Sequence, residues 1–66
     1  SLRHKLALER SLESALAAIN GLQENIPFEL ISIDLQESLN AIDEITGQTI
    51  GEDMLDQIFA KFCIGK

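Results

Sequence analysis

Apolar residues recur at three- and four-residue steps through three segments of this 66-residue chain, and that spacing restricts it to amphipathic helices. The first segment carries one apolar helix face, made of Leu2, Leu6, Leu12, Ala15, Leu16, Ile19 and Leu22. Gly21 and Asn25 indicate where this helix ends. Small side chains, at Ala7, Ala17 and Ala18, leave places where a neighbouring helix can approach closely.

A second helix is predicted to begin at Pro27, because proline needs no amide hydrogen in a first helical turn. Glu29 then lies near the positive end of the helix dipole. The apolar stripe of this helix is Phe28, Ile31, Leu35, Leu39, Ile42 and Ile45. Leu30 and Ile33 fall off the stripe, which predicts burial on a second side of the helix.

Gly47 occupies the position of a left-handed helix cap, and residues 47–51 are expected to form the turn into a third helix. Glu52 and Asp53 lie in the first turn of that helix. Its predicted buried stripe is Leu55, Ile58, Phe59 and Phe62. The chain therefore predicts an all-α fold with three helices in up-down-up order.

Three short helices cannot shield all of this apolar surface from water. A domain of about 60 residues buries only about 60% of the surface that its unfolded chain exposes. Each large side chain left open forgoes roughly 1.5 to 3 kcal/mol. We therefore expect the chain to be a segment of a larger helical bundle, completed by other helices of a parent chain or by a partner; the absence of an initiator Met at Ser1 agrees with an excised piece.

The charge distribution argues against autonomous binding of nucleic acid. The net charge is −6, and the five cations lie near the two ends of the sequence. The acidic stretch between them would repel a phosphate backbone. One Cys and one His do not close a zinc site or an internal disulfide, which predicts no metal centre and a reduced, cytoplasmic setting. No apolar run approaches the roughly 18 residues of a membrane span, so no membrane partner is expected.

The segment Cys63-Ile64-Gly65-Lys66 combines the sole cysteine, a flexible glycine and a lysine. Two interpretations of Cys63 stay open at this point. It is either a functional thiol or a small buried side chain that continues the apolar stripe of the third helix. His4 and the carboxylate pairs, Asp43 with Glu44 and Asp53 with Asp56, are interpreted as solvated helix residues, with metal binding and acid-base catalysis as the minor alternatives.

Three blocks in order carry a family resemblance: Glu44-Ile45-Thr46-Gly47, Leu55-Asp56-Gln57-Ile58-Phe59 and Phe62-Cys63-Ile64-Gly65-Lys66. With the start of the chain, Leu2-Arg3-His4 and Leu8-Glu9, they resemble the carboxyl end of the tRNA-modification GTPases of the MnmE (TrmE) family. The resemblance covers the whole chain. It implies that residues 1–66 are the carboxyl-terminal half of a helical domain that is split by an inserted GTPase domain and preceded by a folate-binding domain.

The resemblance implies that the parent protein is a GTP hydrolase and a homodimer. With the flavoprotein MnmG it would modify carbon 5 of the wobble uridine of certain tRNAs, and tRNA would bind the complex rather than this segment. A tetrahydrofolate derivative, 5-formyl- or 5,10-methylene-tetrahydrofolate, would supply one carbon. GTP, Mg²⁺ and K⁺ would bind the GTPase domain, and FAD and NADH would serve MnmG.

The same resemblance assigns roles to two residues of the closing segment. Cys63 matches the cysteine that takes part in the modification chemistry, as a transient nucleophile or a proton carrier. Lys66 matches the terminal lysine associated with the folate pocket. The alternative function is a purely structural helical adaptor or dimerisation segment in which Cys63 is buried.

Overall fold

The computed structural model describes the backbone of residues 1–49 and 51–63, and the side-chain environments of residues 1–49 and 53–61. Within these residues the chain is all-α, as the sequence predicts. The helices are α1 (Leu2–Gln23), α2 (Phe28–Thr46) and α3 (Gly51–Cys63).

Local capping explains where the first two helices begin and end. Ser1 caps α1, since its hydroxyl accepts a hydrogen bond from the His4 amide at 3.3 Å. After α1, Asn25 adopts a positive φ of 57°, and the Ile26 amide bonds to the Gly21 carbonyl at 2.9 Å. Gly47 closes α2 with φ 75°, in the predicted left-handed cap. Helix α1 ends at Gln23, between Gly21 in its last turn and Asn25, as predicted.

The three helices form a single layer. Within the described residues α2 contacts both α1 and α3, whereas α1 and α3 do not contact each other. The Cα positions span 44 × 25 × 11 Å, and the shortest dimension is close to the diameter of one helix. Ser11 meets Ser38 and Gly21 meets Ile31, so α2 runs opposite to α1; Phe28 at the start of α2 meets Phe59 near the end of α3, so α3 runs opposite to α2. The predicted up-down-up order is confirmed, but the helices do not close around an interior.

Helix α1 packs on α2 through small side chains. We call this surface the small-residue seam: Ala7, Ser11, Ser14, Ala18 and Gly21. A Cβ added to Gly21 would lie 3.0 Å from the Ile31 Cγ1 atom, so the Ile31 side chain packs directly on the backbone of α1 there. The Ser38 hydroxyl donates to the Ser11 carbonyl at 2.9 Å, and the two hydroxyl oxygens are 3.0 Å apart. The seam thus allows a close approach and pairs the Ser11 hydroxyl with a partner on α2.

The apolar face predicted for α1 is exposed in this layer, and α2 packs instead where small side chains predict a close approach. Leu12 is 60% exposed and Leu2 is 70% exposed, with Leu6, Leu16, Ile19 and Leu22 also exposed. Small residues allow two helix backbones to come close, so the seam takes the helix contact and the larger side chains turn away from it. Ala7 and Ala18 are buried as predicted, whereas Ala17 is exposed.

One set of exposed or half-buried apolar side chains on α1 runs alongside the seam. Positions 8, 12, 15, 19 and 22 each follow a seam position by one residue, which places them about 100° further around the helix. We call this surface the leucine face: Leu8, Leu12, Ala15, Ile19 and Leu22. On α2, Leu30 and Ile33 were predicted to be buried on a second side of the helix, but both are exposed in this layer, because only α1 and α3 pack on α2. Much apolar surface therefore remains uncovered.

Candidate functional site at the end of the third helix

The candidate site is the end of α3, because this helix ends at Cys63. Lys61 is exposed in the last turn, where a cation interacts favourably with the helix dipole. Cys63 has a helical backbone, but its side chain lies outside the described residues, as do the side chain of Phe62 and the whole of residues 64–66. The roles predicted for Cys63 and Lys66 therefore stay predictions.

Two side chains attach α3 to α2. Leu55 is only 4% exposed and is the most buried side chain of α3 among the described residues. One turn later, the ring of Phe59 meets the ring of Phe28 edge to face, with centroids 5.3 Å apart and an angle of 77° between the planes. Edge-to-face contact is a favoured geometry of aromatic pairs. The predicted stripe of α3 is confirmed at Leu55, Ile58 and Phe59, the last two being half-buried.

A cluster of charged side chains joins α1 to α2, in addition to the contact of Ser11 with Ser38. One guanidinium nitrogen of Arg10 lies 3.1 Å from a Glu37 carboxylate oxygen and 2.9 Å from a Glu44 carboxylate oxygen. Hydrogen bonding to Glu44 and Glu37 raises the pKa of Arg10, and hydrogen bonding from Arg10, followed by its charge, lowers the pKa of Glu44. Glu44 is therefore ionised at neutral pH and serves as an ion-pair partner rather than a proton donor.

The other carboxylate and histidine candidates remain dispersed. Asp43 is half-buried on α2, whereas Asp53 and Asp56 are exposed on α3. His4 is exposed, and its backbone amide, rather than its ring, makes the contact with Ser1. Over the described ranges, His, Cys, Asp and Glu side chains form no group of three or more that could hold a metal ion.

One open groove between α1 and α2 contains charged side chains. Arg3 and Arg10 of α1 line it together with Glu44 of α2, which pairs with Arg10. Lys66, the residue predicted to contact folate, lies outside the described residues, so that contact stays a prediction. Among the helices of residues 1–49 and 51–63, none is both long and apolar enough to cross a membrane.

Sequence reasoning missed the contacts that join the helices. Glu37 and Glu44 are seven residues apart, which places them on one face of α2, and Arg10 lies well inside α1, away from the other cations of the amino-terminal end. That spacing could have suggested the ion pairs. Phe28 and Phe59 are two of only three aromatic residues, but nothing in the sequence pairs them.

Comparison with known proteins identifies the family. A family model described as the MnmE helical domain matches residues 1–63. A protein of Desulforamulus reducens named tRNA modification GTPase MnmE is 53% identical over 64 residues, which cover 97% of this chain and 14% of that protein. Proteins of the same name from Alkaliphilus metalliredigens and Thermotoga maritima are each 46% identical over the whole chain, covering 14% and 15% of their own lengths.

No solved structure matches the chain. The chain spans about one seventh of the length of these curated relatives. Both the family model and the relatives cover nearly every residue. The sequence identities to the relatives are well above the range in which a family assignment is ambiguous. The chain belongs to the MnmE helical domain family.

Proposed function

We propose that this chain is part of a tRNA-modification GTPase that acts with MnmG on carbon 5 of the wobble uridine of certain tRNAs. The observation that carries the proposal is the match of the full chain to proteins named tRNA modification GTPase MnmE, at 42–53% identity among those compared. GTP, Mg²⁺ and K⁺ would bind the GTPase part of the whole protein. FAD and NADH would bind MnmG.

In this proposal the chain contributes a scaffold and a chemical group. The layer of three helices is the scaffold, and other helices of the same protein cover its leucine face. That arrangement agrees with the large exposed fraction of Leu8, Leu12 and Ile19. The protein works as a cytoplasmic homodimer, with tRNA bound by the complex rather than by this acidic segment.

The chemical group is the thiol of Cys63, held at the end of α3. A thiolate is the form of cysteine that acts as a nucleophile, and a protonated thiol can pass its proton to a neighbouring group. Lys66 follows three residues later, and its ammonium group suits the carboxylates of a tetrahydrofolate, 5-formyl or 5,10-methylene. Gly65 gives the intervening backbone freedom to turn toward a neighbouring domain.

The test uses the full-length protein in cells that lack the native copy. Cys63→Ser is expected to abolish modification of the wobble uridine, measured by mass spectrometry of digested tRNA, while GTP hydrolysis stays within about twofold of wild type. Gln57→Ser, an exposed change on the same helix, is the matched control and should retain modification. Wild-type modification in Cys63→Ser would refute the role of the thiol.

A structural adaptor is the second candidate, and one observation favours it. Leu55, Phe59 and Cys63 are spaced four residues apart, so the position of Cys63 continues the side of α3 that contacts α2. Thiol-reagent labelling of the assembled protein separates the two functions. A sulfur that resists labelling supports the adaptor, whereas rapid labelling that accelerates with pH supports a functional thiol.

A further inference from the structure

The position of the end of α3 depends on very few contacts. In the described residues α3 packs on α2 alone, and it does so mainly through Leu55 and Phe59. Leu55 lies two turns before Cys63, a distance of about 12 Å along the helix axis, and Phe59 lies one turn before it, about 6 Å away. The ring of Phe59 is therefore the contact that most directly controls where Cys63 lies.

The partner of that ring is the first residue of α2. Helices α2 and α3 run antiparallel, so the residues of α3 after Phe59 extend past the point where α2 begins at Phe28. The edge-to-face contact thus lies at the end of the interface between α2 and α3. Without the ring contact, Leu55 would be the main contact left among the described side chains of α3, and the end of the helix could rotate and tilt about it.

We propose that Phe28, which precedes Cys63 by 35 residues in the sequence, is a positioning residue for Cys63 at the end of α3. This inference rests on the proposed function, because it assumes that Cys63 must meet a reacting group elsewhere in the assembly. Phe28 acts through Phe59 and touches no substrate. Misplacing a reacting group by about 1 Å can cost on the order of a hundredfold in rate, so loss of one ring contact is sufficient to matter.

The experiment compares Phe28→Leu with Phe28→Tyr in the full-length protein. Leucine removes the aromatic edge, whereas tyrosine retains it. Leu30→Ala, at an exposed position of α2, is the control. We expect Phe28→Leu to lower kcat for tRNA modification at least tenfold, with KM for tRNA and the GTP hydrolysis rate within about twofold of wild type. Phe28→Tyr and Leu30→Ala should modify tRNA nearly as well as wild type.

A distance measurement tests the positioning directly. One spin label is attached to Cys63 and a second to α1 through Glu13→Cys, with all other cysteines of the protein replaced. Phe28→Leu should broaden or shift the distance distribution between the labels, and Phe28→Tyr should leave it narrow. The double variant Phe28→Leu, Phe59→Leu should behave like Phe28→Leu, because both changes remove the same contact.

The outcomes separate this inference from the proposed function. An unchanged distance distribution in Phe28→Leu overturns the inference, as does wild-type kcat in a variant whose distribution has broadened. If Cys63→Ser itself retains full modification, the proposed role of the thiol fails. In that case the distance distribution still decides whether Phe28 fixes the position of the end of α3.

Discussion

The two helix junctions of this layer are built on opposite principles. The middle of the α1–α2 junction is lined by small residues, including Ala41, which is 0% exposed, and Gly21, whose missing Cβ leaves room for the Ile31 side chain. The α2–α3 junction consists of large side chains, with Leu55 buried and two phenylalanine rings in contact. The first junction is therefore sensitive to added atoms and the second to removed ones.

The largest expected effect is at the second junction. Leu55→Ala removes the most buried side chain of α3, and such truncations cost about 2 to 5 kcal/mol. Hydrogen exchange on the intact protein should show lost protection across α3, with protection in α1 largely retained. Met54→Ala, at a more exposed neighbouring position, should cost far less. Equal loss of protection in α1 and α3 would show that the two junctions are one cooperative unit.

The first junction should respond to the reverse change. Ala41→Leu forces extra methylene groups between α1 and α2, and overpacking of this kind costs about 1 to 3 kcal/mol. Hydrogen exchange should detect the loss in α1 and in the facing turns of α2. The control is Ala60→Leu, the same substitution at an exposed position of α3, which should leave α1 unaffected. Unchanged protection in α1 would mean that the seam is looser than its geometry indicates.

A smaller effect on stability is expected at Gly47, in the connection between α2 and α3. Gly47 has φ 75°, and no atom lies within 4 Å of where its Cβ would be, so alanine there is disfavoured by the backbone alone. Gly47→Ala should destabilise the α2–α3 connection by about 1 kcal/mol, measured by chemical unfolding. Gly47→Asn should cost less, because asparagine tolerates the left-handed region. Equal costs for both variants would point to a steric cause instead.

The smallest effect concerns the ion pairs across the first junction. Because Arg10 lowers the pKa of Glu44 in the folded chain, the stabilisation is complete above the unfolded pKa of about 4.3 and is lost as pH falls through the lower folded pKa. Arg10→Met should therefore lower the melting temperature slightly at pH 7, and this deficit should shrink below about pH 4. Lys5→Met is the control for the lost charge. A deficit independent of pH would assign the role of Arg10 to packing.

Much of the backbone could be predicted from the sequence. The spacing of apolar residues, together with Pro27 and Gly47, predicted all three helices. The cap at Gly47 was predicted correctly because a left-handed cap favours glycine. The close approach predicted at Ala7 and Ala18 was also correct, but the sequence did not show that small residues make the contact of α1 with α2 along most of the helix. Hydrophobic periodicity ranks faces by apolarity, whereas the contact with α2 selected small residues that allow a closer approach.

The candidate site shows a different limit of sequence reasoning. The resemblance assigned predicted roles to Cys63 and Lys66. Local sequence patterns do not show that Phe28, 35 positions before Cys63, contacts the end of α3. The contact of Phe28 with Phe59 depends on how two helices cross, which is a tertiary property. The Arg10 ion pairs are similar, since the spacing of Glu37 and Glu44 defines a face of α2 but not the helix that lies against it.

The helices form a layer that is one helix thick, so both of its faces are surface and no interior lies between them. The effect of a substitution on the leucine face therefore depends on its surroundings rather than on the residue. Leu12→Asp would be nearly neutral on the bare layer and strongly disruptive against an apolar neighbour. Mutational tolerance at these positions is consequently a direct probe of what lies on that side in the complete protein.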